Sequence, residues 1–468
     1  MYTLTLNRMN TPLWTSILAF DFDAPLSEYG FTTRLSKENY WTRNFTDKAI
    51  LEYKKFMYLA ATSDLMVSPS EMVDVVWHQH LIFTQSYADF CSLLGKQIQH
   101  VPSTHNRADF IKFQQAKERT AKLYHQEFGE QPKDIWEYAD MYAPLELTKA
   151  DLKLRTVVII SILLSIVLIA PFYVLLRPVY ITIANPYFMY GYAVMAAVSF
   201  ILLKLYNGIR LKKMVYSFPD FSFVHHLHPY EMIYLKTGKL EQVIHSSLND
   251  FLRKDTVSIQ SNNTLALNTD KPPESIEELC LIETFRQLGT PYYPVLLRNL
   301  RLKPIYSNVE NAMEAFKKYV VKSVPFGKLF YLNLGVLLMV FELGAIRLLT
   351  GLEREKPVTL IFIVLLVVIF SMVVFLRRLT SEIATTTLPS FYEANVLPFR
   401  KELKNPEWSY FMVGQAMLAP AFVPLVNRVE RTGGDSSGSS DSGSSSGSCG
   451  SSCGSSCSSC GGCGGGGD

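Results

Sequence analysis

Asp74 and His78 are the pair in this sequence best placed to do chemistry together. They stand four residues apart in Asp74-Val75-Val76-Trp77-His78-Gln79-His80, and a spacing of four puts both on one face of a helix. A carboxylate and an imidazole so placed can hold a divalent cation such as zinc. The further ligand would arrive from the following loop, which carries His100 and His105. The alternative is an ordinary helical side-chain pair or a hydrogen bond that holds the fold. His80 lies roughly 200° around the helix from His78, so the two cannot ligate one ion from a regular helix. It falls on the apolar face with Val73, Val76, Trp77, Tyr87, Cys91 and Leu94. Trp77, His80 and Tyr87 are therefore expected to support the site or the fold rather than to ligate.

Three other groups carry chemistry in principle. Five cysteines crowd the C-terminus: Cys449, Cys453, Cys457, Cys460 and Cys463. They could bind a soft metal, cycle between thiol and disulfide, or take a lipid. A Gly/Ser chain around them offers nothing to fix such a site, and low-complexity drift explains them equally well. His225, His226 and His228 stand close together, and surface histidines are the expected explanation. Glu342 sits in a long apolar run, where a carboxylate is a functional candidate by default. An inter-helix hydrogen bond or a pair with Arg347 is the expected use. No nucleophile–base set, phosphate-binding loop or cofactor motif appears, and no cofactor beyond that divalent metal is implied.

The elements that must position these residues are helices. The spacing predicts a helix over Thr46–Ala61. A second is expected to start at Ser68-Pro69-Ser70-Glu71, with Ser68 as cap and Glu71 completing a capping box, and to run to Leu94 before Gly95. A third covers Arg107–Phe128 and stops at Gly129. Four apolar runs follow, at Thr156–Leu176, Tyr187–Leu205, Leu329–Leu349 and Val358–Leu376. Each is close to the roughly 20 residues that cross hydrocarbon. The first two are separated by a break containing Arg177, Pro178, Asn185 and Pro186. The runs divide 468 residues into a helical head (1–152), a membrane hairpin (153–206), a middle domain (207–326), a second hairpin (327–378), a juxtamembrane segment (379–432) and a tail (433–468). Within the middle domain, Pro229–Leu235 and Lys239–Arg253 read as helices. Thr256–Gln260 and Thr264–Leu267 read as a hairpin, which makes the pattern of a winged helix. Later helices are expected to begin at Ser275–Glu278 and Ser307–Glu310. The segment Trp408–Val426 is apolar, but Gly414, Gln415, Pro420 and Pro424 argue for packing on the protein rather than spanning. The tail is expected to be disordered by composition.

Charge sets the expected orientation. Lys149, Lys153, Arg155, Lys204, Arg210, Lys212, Lys213, Lys322, Lys328, Arg377 and Arg378 flank one side of the runs. Arg177, Arg347, Arg354 and Lys356 flank the other. The excess places head, middle domain and tail in the cytoplasm. Met1–Phe20 lacks the pattern of a cleavable signal, so an inner-membrane, multi-pass location is expected. A net charge of +3, with Lys236, Lys239, Arg253 and Lys254 few and scattered, argues against nucleic acid as a partner. A reducing compartment and isolated positions make Cys91 and Cys280 small buried hydrophobes.

The head resembles the glycine-rich-domain-containing protein family, whose soluble domain carries a tryptophan–histidine–any–histidine signature. Glu52-Tyr53-Lys54-Lys55-Phe56, Ser68 through Asp74, Trp77, His78 and His80, then Tyr87, Phe90, Cys91, Gly95, His100 and Pro102, and finally Phe128-Gly129 and Pro132-Lys133-Asp134-Ile135-Trp136 carry the resemblance. It covers about residues 31–137. Family members often have two adjacent histidines before the proline. Here the first is Gln99, which reduces any ligand set or shifts it toward His105. The resemblance implies a helical domain and no activity. The remainder, with Leu227–Leu235, the flanking spans and the tail, is similar to bacterial membrane proteins of unassigned function that end in a Gly- and Cys-rich stretch.

These observations predict a mainly α-helical four-span membrane protein with a small α+β middle domain. They favour a non-enzymatic interaction or sensing role at the bilayer, with protein partners. The rival is a metal-dependent, hydrolase-type enzyme using Asp74, His78 and His100. The rival needs an acid or base beside an open metal position. Transport would need a polar path around Glu342.

Overall fold

A computed structural model describes residues 10–101, 107–269, 271–399 and 406–434. The fold is mainly helical, with one antiparallel pair of short strands, Val257–Ile259 and Leu265–Leu267. Four helices are long and apolar enough to cross a membrane: Leu154–Thr182, Asn185–Tyr216, Val324–Glu353 and a continuous run from Thr359 to Phe399.

The head is built on the helix Arg43–Thr62, which buries Phe45, Ala49, Tyr53, Phe56, Met57 and Ala60 at helical spacing. Two corrections apply to the next helix. It starts two residues later than expected, because Ser70 rather than Ser68 accepts the hydrogen bond from Val73 N. The Ser68 N–H is used elsewhere, donating to Thr120 Oγ1 at 2.9 Å. The helix also divides at Phe83 into Glu71–Ile82 and Thr84–Leu94, so the register downstream of His80 is reset. Gly95 closes the second piece with φ +68°, a left-handed conformation that glycine adopts without strain.

In the middle region the helices Pro229–Thr237 and Leu240–Arg253 precede the strand pair, and Ser275 caps the helix Ile276–Leu288. The next helix begins at Pro304, not at Ser307. A proline with its fixed φ fits the first helical position, and Ser307 lies inside, its hydroxyl donating to Pro304 O. The buried residues of head and middle region form one continuous apolar cluster.

Among the four long helices, Val324–Glu353 is central. Its apolar window is 56% buried, against 6% for Leu154–Thr182. The first helix runs through Arg177 and Pro178 to Thr182, so the break before the second is only Ile183 and Ala184. Interior prolines are tolerated in such helices because neighbours satisfy the freed backbone groups. Polar side chains cross-link the bundle. Asn207 and Asn333 exchange amide hydrogen bonds at 2.9 and 2.7 Å, and Tyr192 donates to Val340 O at 3.0 Å. Arg347 does not pair with Glu342. Its guanidinium donates to Ile183 O, Asn185 Oδ1 and Tyr180 O and lies over the Phe188 ring. The chain end of the first hairpin offers several acceptors at once, which a single carboxylate five residues away cannot match.

The last long helix continues out of the bundle through two π-helical stretches, Ile383–Thr387 and Tyr392–Val396. Tyr392 there donates to Val224 O at 2.8 Å and accepts from Leu227 N at 2.7 Å. The segment Pro406–Gly434 folds as short helices packed on the middle region, with Trp408, Phe411, Phe422 and Val426 buried.

Candidate metal centre

The helix Glu71–Ile82 places Asp74 and His78 one turn apart, and the segment after Gly95 brings His100 beside them. The Asp74 carboxylate lies 2.9 Å from His100 Nε2 through one oxygen and 3.3 Å from His78 Nδ1 through the other. One ligand atom from each residue can be chosen so that all three lie within 4.8 Å of one another. Among the described residues this is the one set of three such groups that converges so closely. The rings of His78 and His100 are 4.4 Å apart. His78 is exposed, Asp74 half-exposed, and His100 mostly covered, at 16% exposure. One side of the triad therefore faces solvent.

The position of His100 is set by Tyr87. Its hydroxyl accepts from Trp77 Nε1 at 3.1 Å and donates to Ile98 O, pinning the loop two residues before His100. Trp77 meets the His100 ring edge-on at 4.6 Å. Burial pushes the Tyr87 phenol up from its ordinary value, so it stays protonated and keeps both bonds. The sequence placed Trp77 and Tyr87 on the apolar face. Nothing in their spacing showed that they fix a loop, although a tyrosine on such a face needs a partner for its hydroxyl.

His80 plays no part in the triad. It is fully buried, with the Tyr53 hydroxyl 2.9 Å from Nδ1 and Ser86 Oγ 3.2 Å from Nε2. Burial pushes it down to about 4, so it is neutral near pH 7. His105 and the five tail cysteines fall outside the described residues. Among the described residues, His225, His226 and His228 belong to no group of three ligands; His228 caps the helix Pro229–Thr237 through a bond from Tyr230 N. Cys91 and Cys280 are buried, free thiols.

A carboxylate and two imidazoles with an open side match a three-ligand divalent site that keeps one position for water, and equally the two-histidine, one-carboxylate arrangement of non-haem iron(II). Among the described residues, the polar contacts of the three side chains are with one another and with Asp74 O, which lies 3.0 Å from His78 Nδ1.

Residues 26–125 match the model of a family described as UCP032817-like. No curated protein matches the chain, and no solved structure does.

Proposed function

We propose that this is a membrane-anchored sensing or interaction protein whose head binds a divalent metal, zinc being the first candidate, through Asp74, His78 and His100. The observation that carries the proposal is the convergence of three ligating groups from two separate segments, held by a Trp77–Tyr87–Ile98 chain of hydrogen bonds. A hydrolase would need an acid or base at the open position. Tyr87, the phenol that positions His100, has its hydroxyl occupied on both sides, which favours binding over catalysis. The head resembles glycine-rich-domain-containing proteins in its Trp77-His78-Gln79-His80 run. The helix–helix–hairpin of residues 229–267 is of winged-helix type and serves as a protein-interaction module. The basic flanks favour a cytoplasmic head and middle domain. Eleven Lys and Arg on that side against Arg177, Arg347, Arg354 and Lys356 on the other support that orientation.

The test is elemental analysis of the purified full chain with its five tail cysteines replaced by serine, so that they cannot contribute. Near-stoichiometric metal is expected, lost in His78→Ala and in His100→Ala while both remain folded. A folded protein without metal at micromolar free zinc, or metal retained in both variants, would overturn the assignment.

A further inference from the structure

The first and third long helices start from one joint. Val324 N donates to Thr148 O and Ala150 N to Lys322 O, both at 2.8 Å, which pairs Lys149 with Ser323. Leu154–Thr182 begins directly after Lys153, and Val324–Glu353 directly after Ser323. The Tyr331 hydroxyl donates to Leu152 O at 3.3 Å. Farther along, the Tyr180 hydroxyl donates to Leu343 O at 3.1 Å. The two helices therefore run side by side in the same direction.

Five cations meet at the joint: Lys149, Lys153, Arg155, Lys322 and Lys328. All are exposed. Among the described residues, none of their side chains makes a hydrogen bond or an ion pair. Glu146 and Asp151 are the carboxylates in the joined stretches, 146–156 and 320–332, so positive charge is in excess. The soluble body treats its cations differently, pairing Lys48 with Asp134, Lys236 with Glu393 and Lys303 with Glu28. Like charges gathered without a counter-charge repel one another, and a bound anion relieves that repulsion.

A second observation, independent of charge, says what kind of anion fits. Arg155, Ile159 and Leu163 follow one another at intervals of four on the first helix, and Lys328, Leu332 and Val336 do so on the third. Residues four apart share a helix face. All six are exposed. Each helix thus presents a cation near its start and bare apolar surface from one turn farther on. A soluble anion would use the cations alone. A phospholipid uses both, its phosphate at the joint and its acyl chains along the apolar surfaces. Basic pockets between membrane helices hold such headgroups. The first helix, with 6% of its apolar window buried, leaves almost its whole length to lipid.

We propose that this joint binds the headgroup of an anionic phospholipid, with Lys153, Lys322 and Lys328 on the phosphate and the 159–163 and 332–336 surfaces against the chains. Such binding requires the long helices to lie in a bilayer. It is independent of their orientation and of the metal centre. Occupancy couples the lipid composition of that leaflet to the point where both helices meet the soluble body.

The experiment is native mass spectrometry of the purified full chain in detergent, titrated with dioleoyl phosphatidylglycerol or dioleoyl phosphatidylcholine. The anionic lipid is expected to bind at one per chain and about tenfold more tightly than the zwitterionic one, the preference shrinking as ammonium acetate is raised. Glycerol 3-phosphate at the same concentration is expected not to displace it. Lys153→Gln, Lys322→Gln and Lys328→Gln together are expected to remove the preference without unfolding the chain, because backbone groups make the joint. The same loss of charge at Arg210, Lys212 and Lys213, exposed on the second long helix, is expected to keep it. If the triple variant is not recovered folded, the wild-type lipid comparison decides together with Lys328→Gln alone, which is expected to weaken the anionic lipid a few fold. Equal affinity for the two lipids overturns the proposal. So does a preference that survives the triple substitution, one abolished as fully by the changes at Arg210, Lys212 and Lys213, or displacement of the lipid by glycerol 3-phosphate.

Discussion

His245 is a residue whose environment the sequence could not disclose. It is fully buried on the helix Leu240–Arg253, with Tyr293 and Phe422 rings around it at 5.8 and 6.3 Å. Among the described residues, neither ring nitrogen has a hydrogen-bond partner. Burial pushes it down to about 3, from 6.5 in the unfolded chain. The folded form thus stays neutral while the unfolded form gains a proton below pH 6.5, so stability present above that value is lost as pH falls. Between pH 7.5 and 5.5 the loss amounts to about 1.4 kcal/mol. His245→Phe suits the aromatic surroundings and removes the proton site. Hydrogen exchange of the Leu240–Arg253 amides is expected to show the variant gaining that margin over wild type across the same interval. A margin that does not change with pH would disprove it. Glu52 gives a parallel lesson. It is 1% exposed and gathers Lys55 Nζ, the Tyr124 hydroxyl and Trp136 Nε1 at 2.7 to 2.8 Å. In the sequence it was one letter of a family-like motif. Its role as the hub joining three helices depends on contacts 72 and 84 residues away, which local periodicity does not contain.

At the scale of elements, the helices named from the sequence are present but their ends were not legible, and Thr11–Ala19, Phe31–Asn39 and Tyr293–Leu300 were not foreseen at all. The four apolar runs and the strand pair stand where hydropathy and alternation put them. The starts at Ser70 and Pro304 were missed because several residues in each stretch could cap, and tertiary bonds such as Ser68 N to Thr120 chose among them. The continuation of the fourth long helix to Phe399 was hidden for a different reason. Its register is shifted twice by π-helical turns, and a period of 3.6 loses phase there. Packing inside the bundle turns on Gly344. A Cβ at that position would come within 2.6 Å of the Tyr192 hydroxyl and 2.7 Å of Leu365. Small residues let such helices approach closely. Gly344→Val should therefore push both neighbours away and break the Tyr192–Val340 hydrogen bond. The melting temperature of the detergent-solubilised chain is expected to fall by several degrees, consistent with a loss of about 1–3 kcal/mol for overpacking. An unchanged melting curve would show that the second and fourth helices do not rest against this site.

At the scale of the whole molecule, the layout of soluble and apolar parts was readable because membrane spans are the strongest signal a sequence carries. The way the soluble parts merge was not. One apolar cluster runs through head, middle region and the C-terminal segment, assembled from residues hundreds of positions apart. Orientation is open to a direct check. In a chain with serine at the tail cysteines, cysteine at Glu355 is expected to react with a membrane-impermeant maleimide on intact cells, and cysteine at Gln85 only after lysis. The reverse pattern would invert the topology.

The short bridge at the head's exit has a consequence for how this chain is made. Ala150 N donates to Lys322 O and Val324 N to Thr148 O, both at 2.8 Å, pairing Lys149 with Ser323. The first and third long helices thus leave the soluble body from one point. When the ribosome has delivered the first hairpin, the partner for that point is still more than a hundred residues from being synthesised. The early helix, 6% buried even in the finished protein, must wait in lipid with its leading end unpaired. Assembly closes backward, the last hairpin arriving to latch a helix that was inserted first.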